Sequence, residues 1–149
     1  MGGYLPVLLP DAEGVLRAWL RDGIDLAAAT DRVFFAVPAI PKGAADVPLP
    51  LVTLARVGGL PDDDLPLDHP VMRFNVWGTS KKEASAVARR LVMALRTCGG
   101  ATAGTDPTET AMLDGASDIS GPTCQPDDAA GKARYIVVAT IHMRPMVAV

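Results

Sequence analysis

The sequence predicts an α+β domain: a mainly antiparallel sheet of four to five strands, with a long helix and a shorter N-terminal helix packed on one face. Three observations lead there. Residues 11–22 and 80–97 repeat their apolar positions at helical spacing. Residues 51–57, 71–77 and 134–143 are rich in strand-forming side chains. The two helical segments are segregated, and the strands between and after them are joined by hairpin-like connections. With 149 residues the whole chain, 1–149, is expected to form one domain.

The elements follow in order. Asp11 is placed to cap a first helix whose Ala12, Val15, Leu16, Trp19 and Leu20 share one face, and Gly23 is placed to end it. One further turn, capped by Asp25, is expected at 26–29. Residues 32–37, with Val33, Phe34 and Phe35, read as a short strand. Residues 38–50 hold four prolines and a glycine, the composition of a long loop. Residues 51–57 read as a strand, with Gly58-Gly59 allowing a turn or bulge at its end. Residues 60–70 carry Pro61, Asp62, Asp63, Asp64, Pro66, Asp68 and Pro70 and form a second loop. In 71–77 the alternation is clean: Met72, Phe74 and Val76 point one way, Arg73 and Asn75 the other.

The long helix, residues 80–97, is the best-marked element. Ser80-Lys81-Lys82-Glu83 matches the capping box, in which the serine bonds the turn ahead and the glutamate reaches back. Ala84, Val87, Ala88, Leu91, Val92 and Leu95 line one face, and Gly99-Gly100 ends the helix. Residues 101–107 read as a Gly/Thr loop, 108–120 as a weak strand interrupted by Gly115, and 121–131 as a turn region. Residues 134–143 read as a strong strand with apolar residues on both faces, hence an interior strand covered on both sides. Pro145 ends it.

Composition narrows the function. The chain is 49% hydrophobic and 21% charged, which is globular rather than disordered. A net charge of −3 disfavours sequence-independent phosphate binding, because nucleic-acid-binding domains are normally basic. No apolar run approaches the roughly 20 residues of a membrane helix. The first residues lack a basic n-region, and Pro6 and Pro10 interrupt the apolar stretch, so no signal peptide is expected. Proline at position six argues against myristoylation. These features place synthesis in the cytoplasm. Cys98 and Cys124 lie in no Cys-x-x-Cys or Cys/His cluster and are expected to be free thiols.

No chemical constellation stands out, so no catalytic, cofactor-binding or metal-binding residue is assigned, and no cofactor is expected. His69 and His142 lie far apart in sequence, and each reads as a loop or sheet-face residue; a triad or metal site would need distant segments to converge. Asp62-Asp63-Asp64 lacks the alternating ligand spacing of a calcium loop and reads as a solvated loop or a partner contact. Gly58-Gly59 and Gly99-Gly100 match neither phosphate-binding glycine pattern. One asymmetry remains. The helix at 80–97 holds five of the chain's 14 basic residues (Lys81, Lys82, Arg89, Arg90, Arg96) but only Glu83 of its 17 acidic ones. Lys82, Arg89 and Arg96, seven residues apart, form a stripe along the helix. Such a face is either solvated or complementary to an acidic neighbour.

The arrangement also carries a resemblance. A strand ending Arg-Val-Gly-Gly (56–59), a Pro/Asp loop, a strand ending Phe-Asn-Val-Trp-Gly (74–78) and a helix opening Thr-Ser-Lys-Lys-Glu-Ala (79–84) resemble the tail terminators of long-tailed bacteriophages. The likeness covers most of the chain in element order. It is sharpest over 51–95 and around Arg134-Tyr135-Ile136-Val137. It implies a structural virion protein and not an enzyme: a subunit of a hexameric ring on the head-proximal end of the tail tube. Such a ring stops tube polymerisation and provides the head-docking surface. The implied partners are copies of itself, the tail-tube protein and a head-closure or neck protein, with no membrane. No sequence-specific nucleic-acid contact is implied, although DNA passes through such a ring's lumen. A head-closure or neck connector, a tail-tube protein, or a small ligand-binding or enzyme domain are the alternative readings. The family marks its interfaces by no residue motif. From charge alone, Asp62, Asp63 and Asp64 of one subunit are expected to meet Lys82, Arg89 and Arg96 of the next.

Overall fold

The structure, a computed structural model, describes residues 8–36, 48–104, 109–125 and 132–146. Most of the expected loop at 38–50, and parts of those at 101–107 and 121–131, lie outside the described residues.

The first helix, α1 (Ala12–Asp22), has the expected boundaries. Asp11 accepts a bond from the Glu13 amide, and the Gly23 amide closes the last turn on the Trp19 carbonyl. Asp25 then accepts from the Ala27 amide at 2.8 Å, at the start of a 3-10 turn, Ala27–Ala29, whose N-cap is Leu26 and not the expected Asp25. Strand β1 (Val33–Phe34) is two residues long, shorter than the expected 32–37. β2 (Leu51–Gly58) and β3 (Val71–Gly78) follow, then α2 (Lys81–Arg96), β4 (Thr102–Gly104), β5 (Thr110–Cys124) and β6 (Ala133–Pro145).

One expectation about the sheet is corrected: it has six strands, in the order β1-β2-β3-β6-β5-β4, and not four to five. It is mainly antiparallel, as expected, and mixed only in that β1 runs parallel to β2. The extra strand is β4, three residues of a stretch that reads as a loop because so short a segment shows no periodicity. β1 is only two residues long, too short for its sense to be read from its own pattern. β5 continues through Gly121 to Cys124, residues that read as a turn region from their Gly and Pro content.

Both helices lie on one face. α2 packs on β3, β6 and β5, and α1 packs against β1 and β2 at one edge of the sheet and β4 at the other. One helix can touch both edges only if the sheet curls around it. Two bonds pin the closure: the Arg56 amide of β2 donates to Glu13 Oε2 at 2.9 Å, and the Asp11 amide donates to Glu109 Oε2 at 2.7 Å. The core joins Leu16 and Leu20 of α1, Leu91 and Leu95 of α2, and Met72, Phe74 and Val76 of β3. β6 is interior, as expected. Its Val137, Ala139, Ile141 and Met143 are buried on the helix side. Ile136 and Val138 are only half-buried, so full cover on both faces is not found. Among the described residues no helix packs there.

Strand directions give the subunit two unlike ends. Gly58, Val71 and Pro145 share one end with the connection 59–70; Leu51, Gly78 and Ala133 share the other, where α2 begins.

Candidate functional site

The connection between β2 and β3 is a shaped structure. Gly59 begins it with φ +88°, and an added Cβ there would overlap the His69 carbonyl oxygen, so glycine is required on two counts. The Asp62 amide then donates to the Leu67 carbonyl at 2.9 Å. Asp68 is 2% exposed and is held on three sides. Its amide and carbonyl exchange bonds with Met143 of β6, at 2.9 and 3.0 Å. Its carboxylate takes a fork of two bonds from Arg56 Nη1 and Nη2, at 2.7 and 2.9 Å, and a third from the His69 amide. A paired, multiply bonded carboxylate of this kind tolerates burial. The hydrogen bonds that Arg56 donates to Asp68, and the charge of that carboxylate, hold the Arg56 guanidinium above its ordinary pKa against the opposing effect of burial.

The two histidines, read from sequence as separate loop and sheet residues, meet here. His69 Nδ1 lies 2.8 Å from His142 Nδ1, with the rings edge to face. His69 Nε2 lies 2.8 Å from Asp62 Oδ1, and His142 Nε2 lies 2.8 Å from the Ser117 hydroxyl. A contact between two ring nitrogens at this distance needs one proton between them and no more. With both rings neutral the donors run one way: Ser117 to His142, His142 to His69, His69 to Asp62. The chain of bonds therefore ties the loop to β6 and β5. No sequence signal local to either histidine reveals it, since the contact depends on where the loop lies along β6. Nor does the sequence mark Arg56 and Asp68 as partners.

The six residues expected at an interface fall into two groups. Asp62, Asp63 and Asp64 are exposed on the loop; Lys82, Arg89 and Arg96 are exposed along the outer face of α2. Within the subunit Asp62 is already engaged by His69, whereas Arg90, one residue from the stripe, reaches Asp25 at 3.1 Å. α2 is built as its sequence indicates, with two changes: Thr97, whose amide closes on the Ala94 carbonyl, ends it before Gly99-Gly100, and the capping box is shifted by one residue. The Ser80 hydroxyl accepts from the Glu83 amide, but Glu83 returns the bond to the amide and hydroxyl of Thr79, not to Ser80.

Among the described residues an open groove of about 410 Å³ lies between the start of α1 and the loop, lined by Leu9, Pro10, Asp11, Glu13, Arg56, Pro61 and Asp68 among others. Neither histidine nor Ser117 lines it. Among the described residues no group of three or more His, Cys, Asp or Glu is disposed to hold a metal ion.

The phage tail termination protein family matches residues 8–145. The chain belongs to this family. It is thus a structural protein of the phage tail, as the resemblance of β2, β3 and α2 indicates. A chain of a native gene transfer agent (GTA) virion particle has a similar fold, with a TM-score of 0.61 at 20% identity. That likeness covers 89% of this chain and 94% of the other. No curated protein matches the sequence.

Proposed function

We propose that six copies of the chain close a ring on the head-proximal end of the tail tube. The ring stops tube polymerisation and offers the surface on which the head docks. The observation that carries this reading is the family match across residues 8–145. The subunit's asymmetry supports it. The sheet ends in two unlike edges, β1 on one side and β4 with the free length of β5 on the other. Unlike patches meeting head to tail are what close a ring. Its partners are further copies, the tail-tube protein and a head-closure or neck protein. DNA passes through the lumen without sequence-specific contact.

Within this reading Asp62, Asp63 and Asp64 face the stripe of Lys82, Arg89 and Arg96 on the next subunit. The stripe is about 21 Å long, and three consecutive loop residues span about 7 Å. The loop therefore meets one part of the stripe. Each exposed charge pair contributes under about 1 kcal/mol, so the charges act on register and rate.

The test is to add purified protein to growing tail tubes and image them by negative stain. Rings capping one end of arrested tubes are expected. A chain that stays monomeric while tubes keep growing overturns the reading.

A further inference from the structure

We propose that the contact between neighbouring subunits is centred on apolar side chains: Leu60 and Leu65 of one subunit's loop dock against Met93 on the outer face of α2 of the next copy. This rests on the ring reading above and adds to it a location and a chemistry.

The first observation is where most of the exposed large apolar residues lie; Phe35, Met93 and Met146 complete the set among the described residues. Leu60 is 81% exposed, Leu8 78%, Val57 56% and Leu65 47%. All four belong to the loop end. Leu60 and Leu65 lie in the loop itself, Val57 lies near the end of β2 that leads into it, and Leu8 precedes the start of α1, which faces Pro61 of the loop across a groove. Scattered exposed leucines are ordinary, but several at one end of a subunit mark an interaction surface.

The second observation is that this surface is held in shape. Asp68 is fixed to Arg56 and Met143, and Asp62 is fixed through His69 and His142 to Ser117. A loop ordered before binding loses less entropy on docking. Asp62 is spent in this anchoring. Asp63 and Asp64 remain beside Leu65 as an acidic rim.

The third observation selects the occupant. An acidic rim around apolar side chains calls for a basic surface with an apolar centre. The outer face of α2 is such a surface. Arg89, Met93 and Arg96 fall at the four- and three-residue spacing of one helical face, all exposed, with Met93 at 62%. Methionine is an adaptable contact for branched aliphatic side chains. Lys82 lies too far along the helix to share the contact, and Arg90 turns aside to Asp25. The match is between two different patches of the same chain, so it is heterologous and suited to a ring.

The experiment places a photoreactive benzophenone side chain at position 65, mixes isotopically light and heavy subunits on tail tubes, irradiates, and identifies cross-linked peptides by mass spectrometry. Mixed-isotope products joining position 65 to the α2 peptide that contains Met93 are expected. Rings that form normally but cross-link position 65 to the tail-tube protein, or to another region of the neighbour, overturn the docking and leave the ring reading intact. Failure of the unmodified protein to form rings or cap tubes overturns both. A second variant guards against a defect of the probe. Leu60→Ser with Leu65→Ser should leave the monomer's melting temperature unchanged and raise the subunit concentration needed for capping about tenfold or more. Capping at the parental concentration overturns the proposal.

Discussion

Strands β3 and β5 flank the same strand, β6, and they could hardly be built more differently. β3 pairs from Val71↔Thr140 to Gly78↔Ala133 without a shift in register. β5 shifts register three times along its pairing with β6. The irregular stretch holds Gly115 at φ +138°, Asp118 at +51° and Gly121 at +101°. In β3 every second residue is buried from Met72 to Val76; in β5 only Ala111 and Leu113 are, and the strand is half-buried or exposed beyond them. The contrast shows two ways of specifying a strand. β3 is specified by its own alternation, since a slip of one residue would turn Phe74 away from the core. β5 is specified by its partner: β6 fixes its course, and bulges bend it where its other side is open. Bulges also make a poor template for unwanted edge-to-edge pairing.

The largest effect that breaks this comparison comes from above both strands. Leu91 of α2 is fully buried in the core that the strands share. Leu91→Asp puts an unpaired carboxylate there and is expected to abolish folding. Arg89→Asp, on the outer face, should melt like the parent protein; circular dichroism on heating reads both. Next comes a direct contrast of the strands. Phe74→Ala in β3 should cost about 3–5 kcal/mol. Ile119→Ala in β5, where the side chain is half-buried, should cost under about 1.5 kcal/mol. Urea unfolding measures both, and equal losses would erase the distinction.

The bulges themselves separate at the next level. Gly115→Ala meets no atom within 4 Å, so its cost is backbone strain alone, about 1–2 kcal/mol. Gly121→Ala adds a clash with the Ile136 carbonyl oxygen and should lose more in the same urea measurement. The smallest effect needs no loss of stability. Cys98 is buried, and burial pushes its thiol pKa up, whereas Cys124 at the end of β5 is exposed. A thiol reagent should therefore modify Cys124 quickly and Cys98 only on unfolding, as peptide mapping over time would show.

Where a segment's structure is set by its own residues, the sequence is readable. α1 and α2 have N-caps and periodic faces, α1 also ends on Gly23, and both appear within a residue or two of their expected bounds. β2, β3 and β6 are equally plain. β4 is too short to show a period, and the two residues of β1 do not reveal that it pairs parallel to β2. At the candidate site the charged positions were legible: Asp63, Asp64, Arg89 and Arg96 are exposed where their elements place them. The engagement of Asp62 by His69, and the links from there to His142 and Ser117, were not. Those side chains come from a loop, β6 and β5, and their distances depend on register.

The sequence by itself determined the helices, the three regular strands, the polar loop and the tail-terminator character of the segment from β2 to α2. These follow from side-chain periodicity, capping and turn chemistry, which act over a few residues. Only the tertiary structure decided that the sheet curls until α1 touches both edges. It alone also decided that Asp68 is buried beneath Arg56, and that His69 of the loop meets His142 of β6. Each of these depends on bringing together residues many positions apart, and a local pattern holds no information about such distances.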